Sequence, residues 1–381
     1  MMNRPIYLDC HATTPMDDRV LETMLPYFRE RFGNPASVSH LYGWEAEAAV
    51  TQAREQLAIA IGAEPEEIVF TSGATEANNL AIKGVAEAYF NQGRHIITVQ
   101  TEHKAVLDPC RYLQSLGFRV TFLPVQADGL LDLADLEQAF CPDTILVSVM
   151  AANNEIGVLQ PLAEIGARCH DRGVLFHTDA AQAIGKVPLD VATLSIDLMS
   201  LTAHKVYGPK GIGALYVRRR NPRVQLAPQL HGGGHERGMR SGTLYTPQIV
   251  GFGKAVELAL VERVTETQRL TELRDRLWQQ IRLDGVRLNG HLTRRLPGNL
   301  NVSVDGVDGQ ALLLGLQPIV AVSSGSACTS AKMSPSHVLK AIGLADELAY
   351  ASIRFGIGRL NTGPEIDQVA SATIATIRSL R

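Results

Sequence analysis

The sequence predicts an α/β protein in two parts: a large domain on a mostly parallel central sheet, and a smaller α+β domain. Three observations carry this expectation. From about residue 46 to 259 short β-branched runs alternate with helical stretches, the pattern of βαβ units. Those runs are apolar at successive positions, as strands covered by helices on both faces must be. Beyond a long polar helix at 262–281 the order of elements changes. With 381 residues, 45% of them apolar, the chain is long enough for two cores.

Taken in order, the expected strands of the large domain are 67–71, 95–99, 119–123, 144–149, 174–178, 198–201 and 213–217. The helices between and around them are 44–61, 75–91, 104–116, 163–172 and 247–264. After the polar helix come strands at 286–288 and 299–304, a helix at 309–316, and strands at 320–323 and 351–356. The boundaries expected are therefore 14–260 for the large domain, and 1–13 with 261–381 for the small one.

Composition narrows the function classes. A net charge of −3 gives no electrostatic reason for nucleic acid or an anionic membrane as partner. No apolar run reaches the length of a membrane span, and residues 1–15 lack the apolar stretch of a secretion signal, so a cytoplasmic location is expected. Five scattered cysteines, with no Cys-x-x-Cys pair, point away from a disulfide framework or a metal site and toward reduced thiols. Cys110 and Cys169 fall in helical stretches and read as small buried apolar residues, and Cys141 precedes a proline. Cys328 differs: Ser323-Ser324-Gly325-Ser326-Ala327-Cys328-Thr329-Ser330 is a small, polar loop with little to pack a core.

Four segments carry chemistry. Thr71-Ser72-Gly73-Ala74-Thr75-Glu76-Ala77 runs from a strand into a helix, where free N–H groups and the helix dipole hold phosphate. By itself this is equally a capped helix. Asp179, ending Phe176-His177-Thr178-Asp179, and Lys205, in Ser200-Leu201-Thr202-Ala203-His204-Lys205, lie about one crossover apart, so both reach the carboxyl edge of the sheet. A buried aspartate there suits the pyridinium nitrogen of pyridoxal phosphate, and a lysine among apolar strands can be lowered in pKa far enough to form a Schiff base. Gly208-Pro209-Lys210-Gly211-Ile212-Gly213 reads as a tight turn just after Lys205, with Lys210 solvated. His103, after a strand and at a helix start, belongs to the same edge, where an imidazole can stack on a ring or simply cap the helix.

This constellation resembles the cysteine desulfurases, fold type I pyridoxal-phosphate enzymes related to class V aminotransferases, of the iron–sulfur cluster assembly type. The likeness spans nearly the whole chain. It is carried by Asp9-Cys10-His11-Ala12-Thr13-Thr14-Pro15, Gly33-Asn34-Pro35-Ala36-Ser37, Asn153-Asn154-Glu155-Ile156-Gly157, the loop 231–243 and the segments already quoted. The resemblance implies that Lys205 is the Schiff-base lysine, Asp179 the partner of the pyridine nitrogen, Gln182 the donor to the phenolic oxygen and His103 the stacking imidazole. It further implies phosphate contacts from Ala74, Thr75, Thr202 and His204, with Thr243 supplied by the other subunit of a homodimer. Asn154 is implied at the cofactor and, with Arg354 and Asn34, at the substrate carboxylate. Cys328 is implied as the thiol that takes sulfur from L-cysteine as a persulfide, leaving L-alanine, for delivery to sulfur-acceptor proteins such as an iron–sulfur scaffold.

Departures from the family pattern are few. Thr202 and Ala203 stand where relatives usually carry Ser and Gly, and Cys10-His11 occupies a variable pair in which Cys10 is either a second reactive thiol near the site or, the favoured reading, a packing residue. The chain stops at Arg381, so scaffold docking through a longer tail is not expected. An aminotransferase or a kynureninase-like lyase would need no thiol in the position of Cys328, and an idle homologue would not retain Lys205, Asp179, His103 and Arg354 together.

Overall fold

Alternate residues of a strand face opposite sides, and in this chain both sides are apolar. The computed structural model describes residues 4–324 and 334–381. After a two-residue strand β1 (Ile6–Tyr7) come β2 (Ile68–Thr71), β3 (His95–Val99), β4 (Arg119–Leu123), β5 (Thr144–Ser148), β6 (Leu175–Asp179), β7 (Leu198–Thr202) and β8 (Gly213–Val217). These last seven form one sheet in the order β2-β8-β7-β6-β5-β3-β4. Strand β8 runs antiparallel to β2 and β7, and the other neighbours are parallel. Ile97, Val147, Phe176 and Met199 enter one core beneath the helices Leu41–Ile61 and Leu162–Asp171. Ile96, Leu146, Leu175 and Leu198 enter another, beneath Ala74–Ala88 and Lys104–Ser115. Burial on both faces is why these strands lack polar alternation.

The remaining strands are β9 (Val286–Leu288), β10 (Asn299–Val304), β11 (Val320–Ala321), β12 (Ser323–Ser324) and β13 (Ser352–Gly356). Four of them make an antiparallel sheet, β12-β13-β10-β9. Its core joins Leu300, Val302, Ile353 and Phe355 to Leu312 and Leu316, and to Ile366 and Val369 of the C-terminal helix Gly363–Leu380. The strand expected over 320–323 is two: β11 pairs in parallel with β1, and β12 pairs with β13.

A second difference concerns the helices expected at 247–264 and 262–281. They are one helix of 36 residues, Thr246–Ile281. No glycine or proline interrupts residues 254–281, so nothing stops the backbone; what changes is the partner of the apolar stripe. Ile249, Phe252 and Val256 pack in the first core, whereas Leu270, Leu273, Leu277 and Ile281 pack in the core of the small sheet. Burying each of those leucines is worth about 1.5–3 kcal/mol, enough to hold the second half against the smaller core.

The N-terminal segment ties the two parts together. Leu8 belongs to the small-sheet core and its carbonyl accepts from Gly356 N at 2.7 Å, while Thr14 N donates to His204 O at 3.0 Å. Residues between them therefore cross the carboxyl edge of the large sheet.

Candidate active site

In a mostly parallel sheet the strand carboxyl ends leave room for a ligand, and here they open on a cavity of about 700 Å³. His103 follows β3, Asn154 follows β5, Asp179 ends β6 and Lys205 follows β7; all four line the cavity. Ala74, Thr75, Gln182, Thr202, His204 and Arg354 line it too. Ten residues scattered over 280 positions in the sequence thus meet at one place.

Lys205 closes a single 3₁₀ turn, Ala203–Lys205, and is half-buried. Its Nζ donates to the carbonyl oxygens of His11 at 2.5 Å and Ala12 at 2.6 Å. Burial, followed by the positive charges of Lys186 and Arg354, depresses the amine to about 7. Near neutral pH a large share of Lys205 is therefore the free nucleophilic amine.

Asp179 is fixed on both oxygens: Oδ2 accepts from Asn78 Nδ2 at 2.7 Å and Oδ1 from Ala181 N at 2.9 Å. Gln182 Nε2 donates to His11 O at 2.8 Å, and its Oε1 meets His11 Nδ1 at 3.1 Å. His103 both caps its helix and lines the cavity, since Nδ1 accepts from Ala105 N at 3.1 Å. Surrounding protein lowers its pKa below the ordinary imidazole value, against the opposing pull of Asp179. A neutral ring that accepts at Nδ1 carries its proton on Nε2.

The end of the cavity near helix Ala74–Ala88 is built for an anion. Its N-cap, Gly73, sits at φ 151°, a conformation reserved for glycine, and makes no side-chain cap to the first-turn N–H groups. Thr75 and Thr202 add hydroxyls at the lining. His204, pushed by burial down to about 4, lines the cavity as well, with Nδ1 3.2 Å from Thr13 Oγ1. The nearby Glu76 is offset by Arg240 at 2.7 Å.

Arg354, also on the lining, is only 8% exposed. Nη1 donates to Asn154 O at 2.9 Å, and Nη2 donates to Asp9 Oδ1 at 2.7 Å and Ser323 Oγ at 2.8 Å. Its Nε is buried with no partner among the described residues.

Two expected site residues do not line this cavity. Asn34 is exposed, with Oδ1 accepting from Ala36 N at 2.9 Å, and Thr243 is exposed in the loop before the long helix. Cys328 lies outside the described residues. Cys10 is buried, its thiol raised to about 11, and faces a separate small cavity with Lys186 and Tyr207. It packs, as the sequence leads one to expect.

Asn78, Asp9 and His11 enter the site without having been given roles from sequence. Asn78 left a signal: it is a polar residue on a helix face otherwise made of Ala77, Leu80 and Ala81. Asp9 and His11 left none beyond their motif, because their contacts span more than 170 positions.

The aminotransferase class-V family model matches residues 6–369. A cysteine desulfurase, IscS, of Tolumonas auensis is 58% identical over 383 residues, covering 100% of this chain and 94% of that protein. A cysteine desulfurase of Mus musculus is 57% identical over 380 residues, covering 99% of this chain and 82% of that protein. Among solved structures, a NifS-like protein superimposes with a TM-score of 0.91 at 39% identity, covering 99% of this chain and 100% of that one. A protein described as SspA in complex with cysteine gives 0.83 at 40% identity, over 92% and 98% of the two chains. Among the described residues no helix is long and apolar enough to cross a membrane.

Proposed function

This chain belongs to the aminotransferase class-V family, and from that premise we propose that it is a pyridoxal-phosphate-dependent cysteine desulfurase whose catalytic residues are Lys205, His103 and Cys328. The observation that carries the reading is the meeting of a depressed Lys205 amine, the Asp179 carboxyl group and an uncapped helix N-terminus in one cavity.

The residues present fit the cofactor. The first turn at Ala74 and Thr75, with Thr202 and His204, would hold the phosphate; Asp179 would face the pyridine nitrogen, Gln182 the phenolic oxygen, and His103 and Asn154 the ring. Bound there, pyridoxal phosphate supplies an electron sink for bonds at the substrate Cα. Lys205 would hold the cofactor covalently and, once displaced by the substrate amine, would take the Cα proton as the free amine. Arg354, with Asn154, holds the substrate carboxylate. The Cys328 thiol attacks the sulfur of L-cysteine, so that thiol plus L-cysteine become persulfide plus L-alanine, with no outside oxidant or reductant.

Residues 14–260 form the cofactor domain in this reading, and 1–13 with 261–381 the domain that carries Cys328. The enzyme is a cytoplasmic homodimer in which Thr243 reaches the partner's phosphate site, and sulfur passes on to acceptor proteins such as an iron–sulfur scaffold. Cysteine-dependent release of alanine and sulfide tests the activity. Borohydride reduction followed by peptide mapping tests the site: a pyridoxyl group on Lys205 is expected, and one on any other lysine overturns the assignment.

A further inference from the structure

An arginine grips a carboxylate well only when its guanidinium is held at a fixed tilt, because its long side chain otherwise samples many rotamers. Arg354 is held at Nη2 by two groups that also hold each other. Asp9 Oδ1 accepts from Nη2 at 2.7 Å and from Ser323 Oγ at 2.9 Å, while Ser323 Oγ accepts from Nη2 at 2.8 Å. The Arg354 and Asp9 side chains are 10% and 18% exposed, so water screens the pair little.

Backbone pairing delivers both groups to the arginine. Ser323 is the partner of Arg354 in the β12–β13 ladder. Asp9 forms a parallel bridge with Gly356, two residues further along the same strand, flanked by Gly356 N to Leu8 O at 2.7 Å and Cys10 N to Gly356 O at 3.0 Å. A Cβ at residue 356 would come within 2.8 Å of Cys10 N, so only glycine lets the segment lie this close. Neither the Asp9 carboxylate nor the Ser323 hydroxyl needs a search to find the guanidinium. The buried N–H still unpartnered among the described residues is Nε.

We propose that Asp9 is a positioning residue for substrate recognition, clamping Nη2 of Arg354 against Ser323 so that the guanidinium keeps one fixed orientation toward the carboxylate of the amino-acid substrate. This rests on the reading of Arg354 as the carboxylate ligand. A mere masking charge at Asp9 would act in the opposite direction, since removing it would tighten carboxylate binding.

The test uses the full chain loaded with pyridoxal phosphate. Asp9→Asn keeps the shape and an acceptor for Ser323 but removes the charge. KM for L-cysteine is expected to rise about tenfold, the scale of one weakened charge-assisted hydrogen bond. With kcat changing less than about twofold, the loss is one of binding rather than chemistry. The Kd of L-alanine, read from the cofactor's absorbance, rises in step. Ser323→Ala, a milder change, raises both constants about threefold, as loss of a neutral partner would. Arg354→Gln in the same series separates the two readings. If it leaves KM and the alanine Kd unchanged, the carboxylate role of Arg354 is wrong. If it weakens binding while Asp9→Asn leaves it unchanged or tighter, the Asp9 proposal is overturned. Should Asp9→Asn fail to fold, unchanged constants in Ser323→Ala overturn it equally.

Discussion

The depressed amine of Lys205 sets how fast cofactor can be captured, and Lys186 is one of its causes. An ordinary lysine is neutral in only about one molecule in 2,500 at pH 7. With Lys205 brought down to about 7, half of it is neutral at that pH. Apo-protein should therefore present about 10³ times more neutral amine to pyridoxal phosphate at neutral pH than a solvated lysine does, and load faster by that factor less the nucleophilicity a weaker base gives up. Plotted against pH, the loading rate should rise with a midpoint near 7. Lys186→Met removes the largest charge acting on Lys205 after burial, and should move that midpoint up by about one pH unit while leaving it below the ordinary value. Stability carries the same signature. The folded pKa lies below the unfolded one, so between about pH 7 and 10 the unfolded chain binds the extra proton and the apo-protein grows more stable as pH rises. Urea midpoints of apo-protein across that window should climb, and Lys205→Met should flatten the climb. A loading midpoint near 10, or one that Lys186→Met lowers or leaves in place, would falsify the argument.

Other perturbations probe the remaining parts. Asp179→Asn should retain cofactor yet slow deuterium exchange at the Cα of L-alanine about a hundredfold or more, since an amide cannot stabilise the pyridinium charge; unchanged exchange removes Asp179 from that role. Cys328→Ala should bind cofactor and L-cysteine but yield neither persulfide nor alanine at a useful rate, whereas Cys10→Ala keeps turnover. Alkylation and peptide mapping decide between them, and a persulfide on Cys10 would sink the proposed sulfur path. Mixing Lys205→Ala and Thr243→Ala chains should restore about a quarter of the sites if Thr243 acts across a twofold dimer; verified heterodimers with no recovery would place it in its own subunit's site. Leu277→Ala should lower unfolding stability by about 2–5 kcal/mol through a cavity in the small-sheet core, checked by urea titration.

The central sheet was legible because its strands are short, β-branched and flanked by helices whose period is clear. The expected segments 95–99, 119–123 and 213–217 coincide with β3, β4 and β8. The cavity residues Asp179, Lys205 and His103 were legible for a related reason: Asp179 ends a strand and the other two follow one within four residues, so their place at the sheet edge follows from local pattern. The long helix looks like two in the sequence because its stripe changes from the dense Ile249, Phe252, Val256 face to the sparse Leu270, Leu273, Leu277 face, which imitates a break. The Asn78–Asp179 bond and the Asp9–Arg354 pair were not legible at all, because they join elements through tertiary contact between positions 101 and 345 residues apart.

That long helix also binds the fate of one core to the other. Its first half is part of the wall beneath the large sheet and its second half is part of the floor of the small one. Melting the small core alone would strand Leu270, Leu273, Leu277 and Ile281 in water on a helix end that has little reason to stay folded by itself. Melting the large core alone would strand the other half in the same way. The chain is thus expected to unfold as one cooperative unit, so that heat dissolving the grip of Arg354 dissolves the seat of Lys205 in the same transition.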